Sequence, residues 1–177
     1  PDMAIKSRCV QGILITLMAV ALMKSHEVKA DTITGGTGLA GINKVLQDHE
    51  WKYPEMIDIE LMANVIYGEA RGCTKLQKSA VAWCVCNRVD WFEYPDNVPD
   101  VILQPSQFHG YNENNVPTIE DYEIAWDVLF RWMNGGLGRT LPSKYLYFHS
   151  EGKGYNIFTT DHRNGSVWEW GLANIYD

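Results

Sequence analysis

Between Val10 and Met23 the apolar residues run almost unbroken, with Gln11, Gly12 and Thr16 as the exceptions. Further on they become periodic. Leu61, Met62, Val65 and Ile66 recur at helical spacing and predict a helix from about Asp58, a plausible N-cap, to Arg71, with Gly72 ending it. From about Leu76 to Val89 the apolar residues (Ala80, Val81, Trp83, Cys84, Val85, Val89) occur all round, the mark of a central helix. Asn87 and Arg88 are its polar exceptions, and such buried groups need hydrogen-bond partners: Glu69 or backbone carbonyls. Thr118, followed three residues later by Asp121, opens an amphipathic helix through Ile124, Ala125, Val128, Leu129 and Trp132 that Gly135-Gly136 stops. Between these helices, Tyr94 to Asn97 reads as a turn, Pro99 to Leu103 as a short helix, Gln104 to Phe108 as extended chain and His109 to Pro117 as a polar loop. The alternation in Tyr145 to His149 and the run Tyr155 to Phe158 predict two strands in a hairpin around Glu151 to Gly154, and Ser166 to Trp170 could add a third. The fold class is mainly α with a small β element, an α+β domain.

Composition changes this picture little. Seven Trp and nine Tyr make the chain aromatic-rich, which serves a core or a groove equally. Charge and address say more. Lys6 and Arg8 before the leading apolar run, and Val28-Lys-Ala30 after it, read as a secretory signal peptide over residues 1–30. The run is shorter than the roughly 18–20 residues a membrane-spanning helix wants, so a retained anchor is the lesser alternative. Residues 31–54 form a glycine-rich linker and a short helix over Lys44 to Tyr53, interrupted by Pro54, and the domain proper covers 55–177. Cleavage after Ala30 removes four basic and two acidic residues and takes the net charge from −7 to −9. So acidic a chain is a poor partner for nucleic acid or anionic lipid. The reading is a secreted monomer at the cell wall, with no stable membrane association once cleaved.

Candidate chemistry centres on Glu69. Stepping on from Val65 and Ile66 by helical spacing puts this carboxylate on the packed face of its helix, near the negative end of the macrodipole. Burial and dipole both favour the protonated acid, as a general acid requires for a poor leaving group such as a glycosidic oxygen. The plainer alternative makes Glu69 an ion-pair partner of Arg71 or Arg88. Cys73, Cys84 and Cys86 are an odd number of thiols for an exported chain, and three small buried hydrophobes is the preferred reading, with Cys73 paired to Cys84 or Cys86 as the other.

The order of the motifs then matters. Ile66-Tyr-Gly-Glu-Ala-Arg-Gly72, Val81 to Val85 leading into Asn87-Arg-Val89, Tyr94-Pro with Val101-Ile-Leu-Gln-Pro-Ser-Gln-Phe108, and Tyr145-Leu-Tyr-Phe148 resemble the catalytic domain of the SleB-type, spore cortex-lytic cell wall hydrolases. The resemblance covers about Ile57 to Phe158. It implies a lysozyme-like fold acting on peptidoglycan glycan strands, between N-acetylmuramic acid and N-acetylglucosamine, without metal or other cofactor. It also implies that Glu69 is the catalytic acid. Members that are lytic transglycosylases leave a 1,6-anhydro end, and one Glu serves that cycle as acid and then base. Asn87, Gln107, Tyr145 and Tyr147 are assigned to substrate contact or site support. The chain departs from the family pattern at Cys73, where an acidic residue is usual, in the tail from Thr159 to Asp177, and in the loop His109 to Thr118.

Other functions remain in play on sequence alone. A hydrolytic muramidase needs a second carboxylate, and a glycan-binding module with the same fold needs no acid. A thiol hydrolase pairing Cys73 with His109 or His149 lacks the electropositive setting that activates a thiol. His109, His149 and His162 show no metal-ligand spacing.

Overall fold

The computed structural model describes residues 50–152 and 155–169. The chain divides into two units, Pro1–Trp51 and Lys52–Asp177, and every element described lies in the second. The signal peptide, the linker and most of the expected helix over Lys44 to Tyr53 fall outside the described residues. Of that helix, Glu50 to Tyr53 are described and are not helical.

Among the described residues four helices and a hairpin follow in order: α1 (Met56–Ala70), α2 (Lys75–Val89), α3 (Val98–Ile102), α4 (Ile119–Met133), β1 (Tyr147–Gly152) and β2 (Tyr155–Thr159). Helix α1 starts earlier than its apolar stripe suggests. Its N-cap is Glu55, still extended, and Asp58 sits in the first turn; the helix therefore begins as soon as the chain has passed Pro54. It ends on Arg71, in right-handed helical geometry. Gly72 is not among the left-handed glycines, which among the described residues are Gly135, Gly136 and Gly138.

Helix α2 is the centre of the core. Ala80 to Cys86 are fully buried, and α1, α3 and α4 all pack on it. Helix α4 carries the expected capping box: the Thr118 hydroxyl accepts from the Asp121 N–H, while the Asp121 carboxylate accepts from the Thr118 N–H. At its other end the Gly136 N–H donates to the Arg131 carbonyl at 2.8 Å, with Gly135 and Gly136 both left-handed, which closes a Schellman motif.

Strands β1 and β2 pair antiparallel, with Phe148 opposite Phe158 and His149 opposite Ile157. Ser166 to Glu169 do not form a third strand. A single bridge joins Thr159 to Val167, and the Trp168 N–H donates to the Phe158 carbonyl at 2.9 Å. The mainly helical domain with a two-stranded β element is the expected class.

Gln104 to Phe108 is not extended. The Gln107 N–H donates to the Gln104 carbonyl, and Ser106 takes a φ of 63°. With Pro105 ahead of it, this is the arrangement of a type II turn, in which proline presets the first corner and the second corner is left-handed. The turn aims Phe108 into the aromatic cluster it forms with Phe148 and Phe158.

Candidate active site

Glu69 lies in the last turn of α1 and is half-buried. Its Oε1 accepts a hydrogen bond of 2.6 Å from the Gly110 N–H, and Oε2 has no hydrogen-bond partner among the described residues. Neither arginine claims it. Arg71 stacks over the Tyr67 ring at 4.5 Å, and Arg88 donates to the Leu146 carbonyl and to Gln107 Oε1. The ion-pair alternative for Glu69 is thereby removed.

What brings Gly110 to Glu69 is a backbone-to-backbone approach. A Cβ added at Gly68 would overlap the Gly110 carbonyl, and one added at Gly110 would overlap the Gly68 peptide. Only two glycines fit this crossing. The loop is carried there by the buried Phe108, whose carbonyl accepts from the Tyr111 N–H at 3.2 Å, so that Gly110 rides on a turn anchored in the core.

The other side of the site comes from β2. The Asn156 amide donates at 3.1 Å to the Glu69 carbonyl, one of the acceptors a helix end leaves without an internal partner. Asn156 is itself held by Gln77 in the first turn of α2: the Asn156 N–H donates to Gln77 Oε1 at 2.7 Å, and Gln77 Nε2 donates to the Asn156 carbonyl at 3.2 Å. The end of α1, the start of α2 and β2 therefore meet at one residue.

Of the remaining expected residues, Gln107 and Tyr147 meet at Arg88, which is buried. Its guanidinium lies over Phe108 at 4.8 Å, Tyr94 at 5.3 Å and Tyr147 at 5.7 Å. Gln107 is exposed and meets it at 3.2 Å. Tyr147 is half-buried; burial first, and then a hydrogen bond with Tyr147, push the Tyr94 hydroxyl well above its ordinary range. Tyr145 is 6% exposed and packs on Trp168.

Asn87 has no exposed surface. Its Nδ2 donates to the Pro142 and Tyr145 carbonyls, both at 2.9 Å, and its Oδ1 accepts from Arg139. It meets neither Glu69 nor open solvent, so its part in this structure is to tie α2 to the segment leading into β1. Buried asparagines satisfy the nearest acceptors, and here backbone carbonyls were nearer than the acid.

Gly68, Gly110, Asn156 and Gln77 belong to the site without having been singled out in the sequence. Gly68 carried a signal, because a glycine inside a helix costs about 1 kcal/mol against alanine and usually has a packing reason. Asn156 and Gln77 carried none.

Among the described residues the thiols Cys73, Cys84 and Cys86 are free. Cys84 and Cys86 are buried and Cys73 is half-buried. Burial pushes the Cys84 thiol up to about 11 and raises Cys73 and Cys86 as well. Cys73 receives a long contact of 3.8 Å from the Asn156 amide and no histidine.

The family of proteins described as Cell Wall Hydrolase matches residues 74–170. The chain belongs to the cell wall hydrolase family. The match reaches past Phe158 into the tail, while Glu69 and its helix precede it. Among curated proteins, the spore cortex-lytic enzyme of Bacillus cereus strain ATCC 14579 is 39% identical over 98 residues, 52% of this chain and 38% of that protein. That of Oceanobacillus iheyensis is 35% identical over 82 residues, 45% of this chain and 30% of that protein. That of Bacillus subtilis strain 168 is 28% identical over 118 residues, 67% of this chain and 34% of that protein. The chain thus spans less than two fifths of the length of these relatives. The crystal structure of the catalytic domain of the Bacillus cereus SleB protein is similar at 28% identity and a TM-score of 0.46, covering 60% of this chain and 91% of that one.

Proposed function

We propose that this chain cleaves peptidoglycan glycan strands between N-acetylmuramic acid and N-acetylglucosamine as a lytic transglycosylase, with Glu69 as its sole acid and base. The observation that carries the reading is the Gly110 N–H on Glu69 Oε1. It fixes the carboxyl group by one oxygen and leaves Oε2 to hold the working proton.

The cycle balances with that one group. Oε2–H protonates the glycosidic oxygen as the bond from muramoyl C1 to that oxygen breaks, and the N-acetylglucosamine end leaves as an alcohol. The resulting carboxylate then takes the proton of the muramoyl C6 hydroxyl while O6 bonds to C1, which gives the 1,6-anhydro end and restores the acid. No water is consumed. Hydrolysis needs an activated water and, in most glycosidases, a second carboxylate to activate it. Among the described residues the group that bonds to the Glu69 carboxylate is the Gly110 N–H, and no acid does so.

Gln107 and Tyr147 are proposed to touch the glycan strand, Gln107 because it is exposed while its side chain is held by Arg88. Tyr145 and Asn87 support the site from beneath. Family membership and the spore cortex-lytic relatives support peptidoglycan as the partner. Export by the segment up to Ala30 would deliver a monomer to the wall, free of the membrane.

The test is a comparison of the mature chain with Glu69→Gln on insoluble purified peptidoglycan. Wild type is expected to release soluble fragments, and the variant to remain bound to the sediment without releasing any. A variant that solubilises peptidoglycan at the wild-type rate removes Glu69 from the chemistry. Binding by both proteins with release by neither points to a glycan-binding module.

A further inference from the structure

The Gly110 peptide is held from three directions, and only one of them is Glu69. Its N–H meets the acid, its backbone lies against Gly68, and its carbonyl accepts from Asn115 Nδ2 at 2.8 Å. The same Asn115 Nδ2 donates to Asn64 Oδ1 at 2.9 Å. Asn64 sits within α1, before Glu69, and its amide spans to the loop twice: Nδ2 donates to the Asn112 carbonyl at 2.9 Å, and Oδ1 accepts from the Asn112 N–H at 3.3 Å. Asn112 closes the knot, its carbonyl accepting from the Asn115 N–H at 2.9 Å and its Oδ1 from the Asn114 N–H at 2.8 Å.

Asparagine inside a helix is a weak helix former because its side chain competes for nearby backbone. Asn64 does not bond to its own helix. It recognises a backbone N–H and C=O of the loop as a matched pair, as a strand would, and so fixes the loop's position along α1. A loop of polar side chains otherwise has little apolar burial to hold it, and its position is then set by bonds such as these.

From this juxtaposition we infer that Asn64 and Asn115 are positioning residues: an amide clamp that fixes the Gly110 N–H on Glu69 Oε1 and thereby sets where the proton-bearing oxygen points. The inference rests on Glu69 being the acid of the proposed reaction. Misplacing a reacting group by about 1 Å costs about a hundredfold in rate even when the binding surface is intact. The clamp therefore acts on turnover more than on substrate affinity.

Asn115→Asp tests it with little change of shape, because a carboxylate has no N–H for either Gly110 or Asn64. Two readouts are taken on the whole chain: turnover on purified peptidoglycan, and the Gly110 amide proton in a glycine-labelled sample by NMR. The expected result is a kcat lower by about ten- to a hundredfold with KM within about twofold, together with an upfield shift and faster solvent exchange of the Gly110 amide. Asn64→Asp keeps Oδ1 for Asn112 and Asn115 and loses one donor, so it should move both readouts in the same direction by less. It takes the place of Asn115→Asp should that variant fail to fold. A Gly110 amide unmoved in a folded variant overturns the clamp, whatever happens to activity. A Gly110 amide that moves as expected in the variants, while the wild-type chain cleaves no peptidoglycan, supports the clamp and sinks the proposed reaction instead.

Discussion

A carboxyl group that must give a proton and then take one back needs one oxygen fixed and the other free. Glu69 meets that condition through a single backbone N–H, donated by a residue that can approach only because it and Gly68 both lack a Cβ. Glu69→Gln keeps size and polarity and removes the proton, so it should lower glycan cleavage by a hundredfold or more, roughly what a lost general acid costs, with the melting temperature little changed. Gly68→Ala should act differently. Its new Cβ must displace the Gly110 backbone, at about 1–3 kcal/mol by the usual cost of overpacking, so both Tm and turnover fall; a Gly68→Ala protein that melts and turns over like wild type would contradict the crossing. The proposed role of Glu69 was legible in the sequence because an acid on an apolar face is rare enough to need a reason. The partners of Asn87 could not be read, because a buried amide looks the same in sequence whether it faces a groove or a set of carbonyls. Gly110 could not be read at all, since its role depends on a residue 41 positions away.

The elements were legible where local chemistry decides them. The capping box at Thr118 and the glycine pair after Met133 fixed both ends of α4, and the all-round apolar pattern identified α2 as the core helix. Gln104 to Phe108 was misread because the preference of a residue before proline for extended geometry says nothing of the turn that proline itself starts. The ion pairs between α2 and α4 were not foreseen either. Lys78 Nζ bonds to Asp121 at 2.8 Å, with 9% and 1% of the two side chains exposed, and to the more exposed Glu120 at 2.8 Å. Burial lowers the Lys78 pKa, but the bonds to Asp121 and Glu120 outweigh it and hold the ammonium above its ordinary value of 10.5. The folded state therefore keeps this proton to higher pH than the unfolded chain. Its contribution is complete below the ordinary lysine range and is lost as pH rises through the raised folded value. In a Tm series from about pH 9 upward, Lys78→Met should flatten this alkaline decline. Below that range the same change should cost about 3 kcal/mol, because it strands a buried carboxylate; a Lys78→Met protein as stable as wild type at neutral pH would mean the pair contributes little.

At the scale of the whole molecule the core is closed by packing, with no disulfide among the described residues. Reductant should leave Tm unchanged, and brief alkylation of the native protein should label Cys73 while Cys84 and Cys86 react only after denaturation, as peptide mass mapping would show. Early labelling of Cys84 or Cys86 would mean that α2 opens far more readily than its burial implies. Family membership fits this architecture, in which a helical core presents the end of α1 between a clamped loop and a short hairpin. The family was legible in the order of the motifs along the chain. The contacts of Asn64 with the loop at Asn112 and Asn115, of Gly110 with Glu69, and of Asn156 with Glu69 and Gln77 were not, since they join segments far apart in sequence. The central claim, a single acid doing both proton transfers, is tested most directly by mass spectrometry of the fragments released from purified peptidoglycan by wild type and by Glu69→Gln. The account predicts 1,6-anhydromuramoyl ends from wild type and none from the variant; fragments with reducing muramoyl ends would contradict it, because they require water in place of the C6 hydroxyl as the group that bonds to C1.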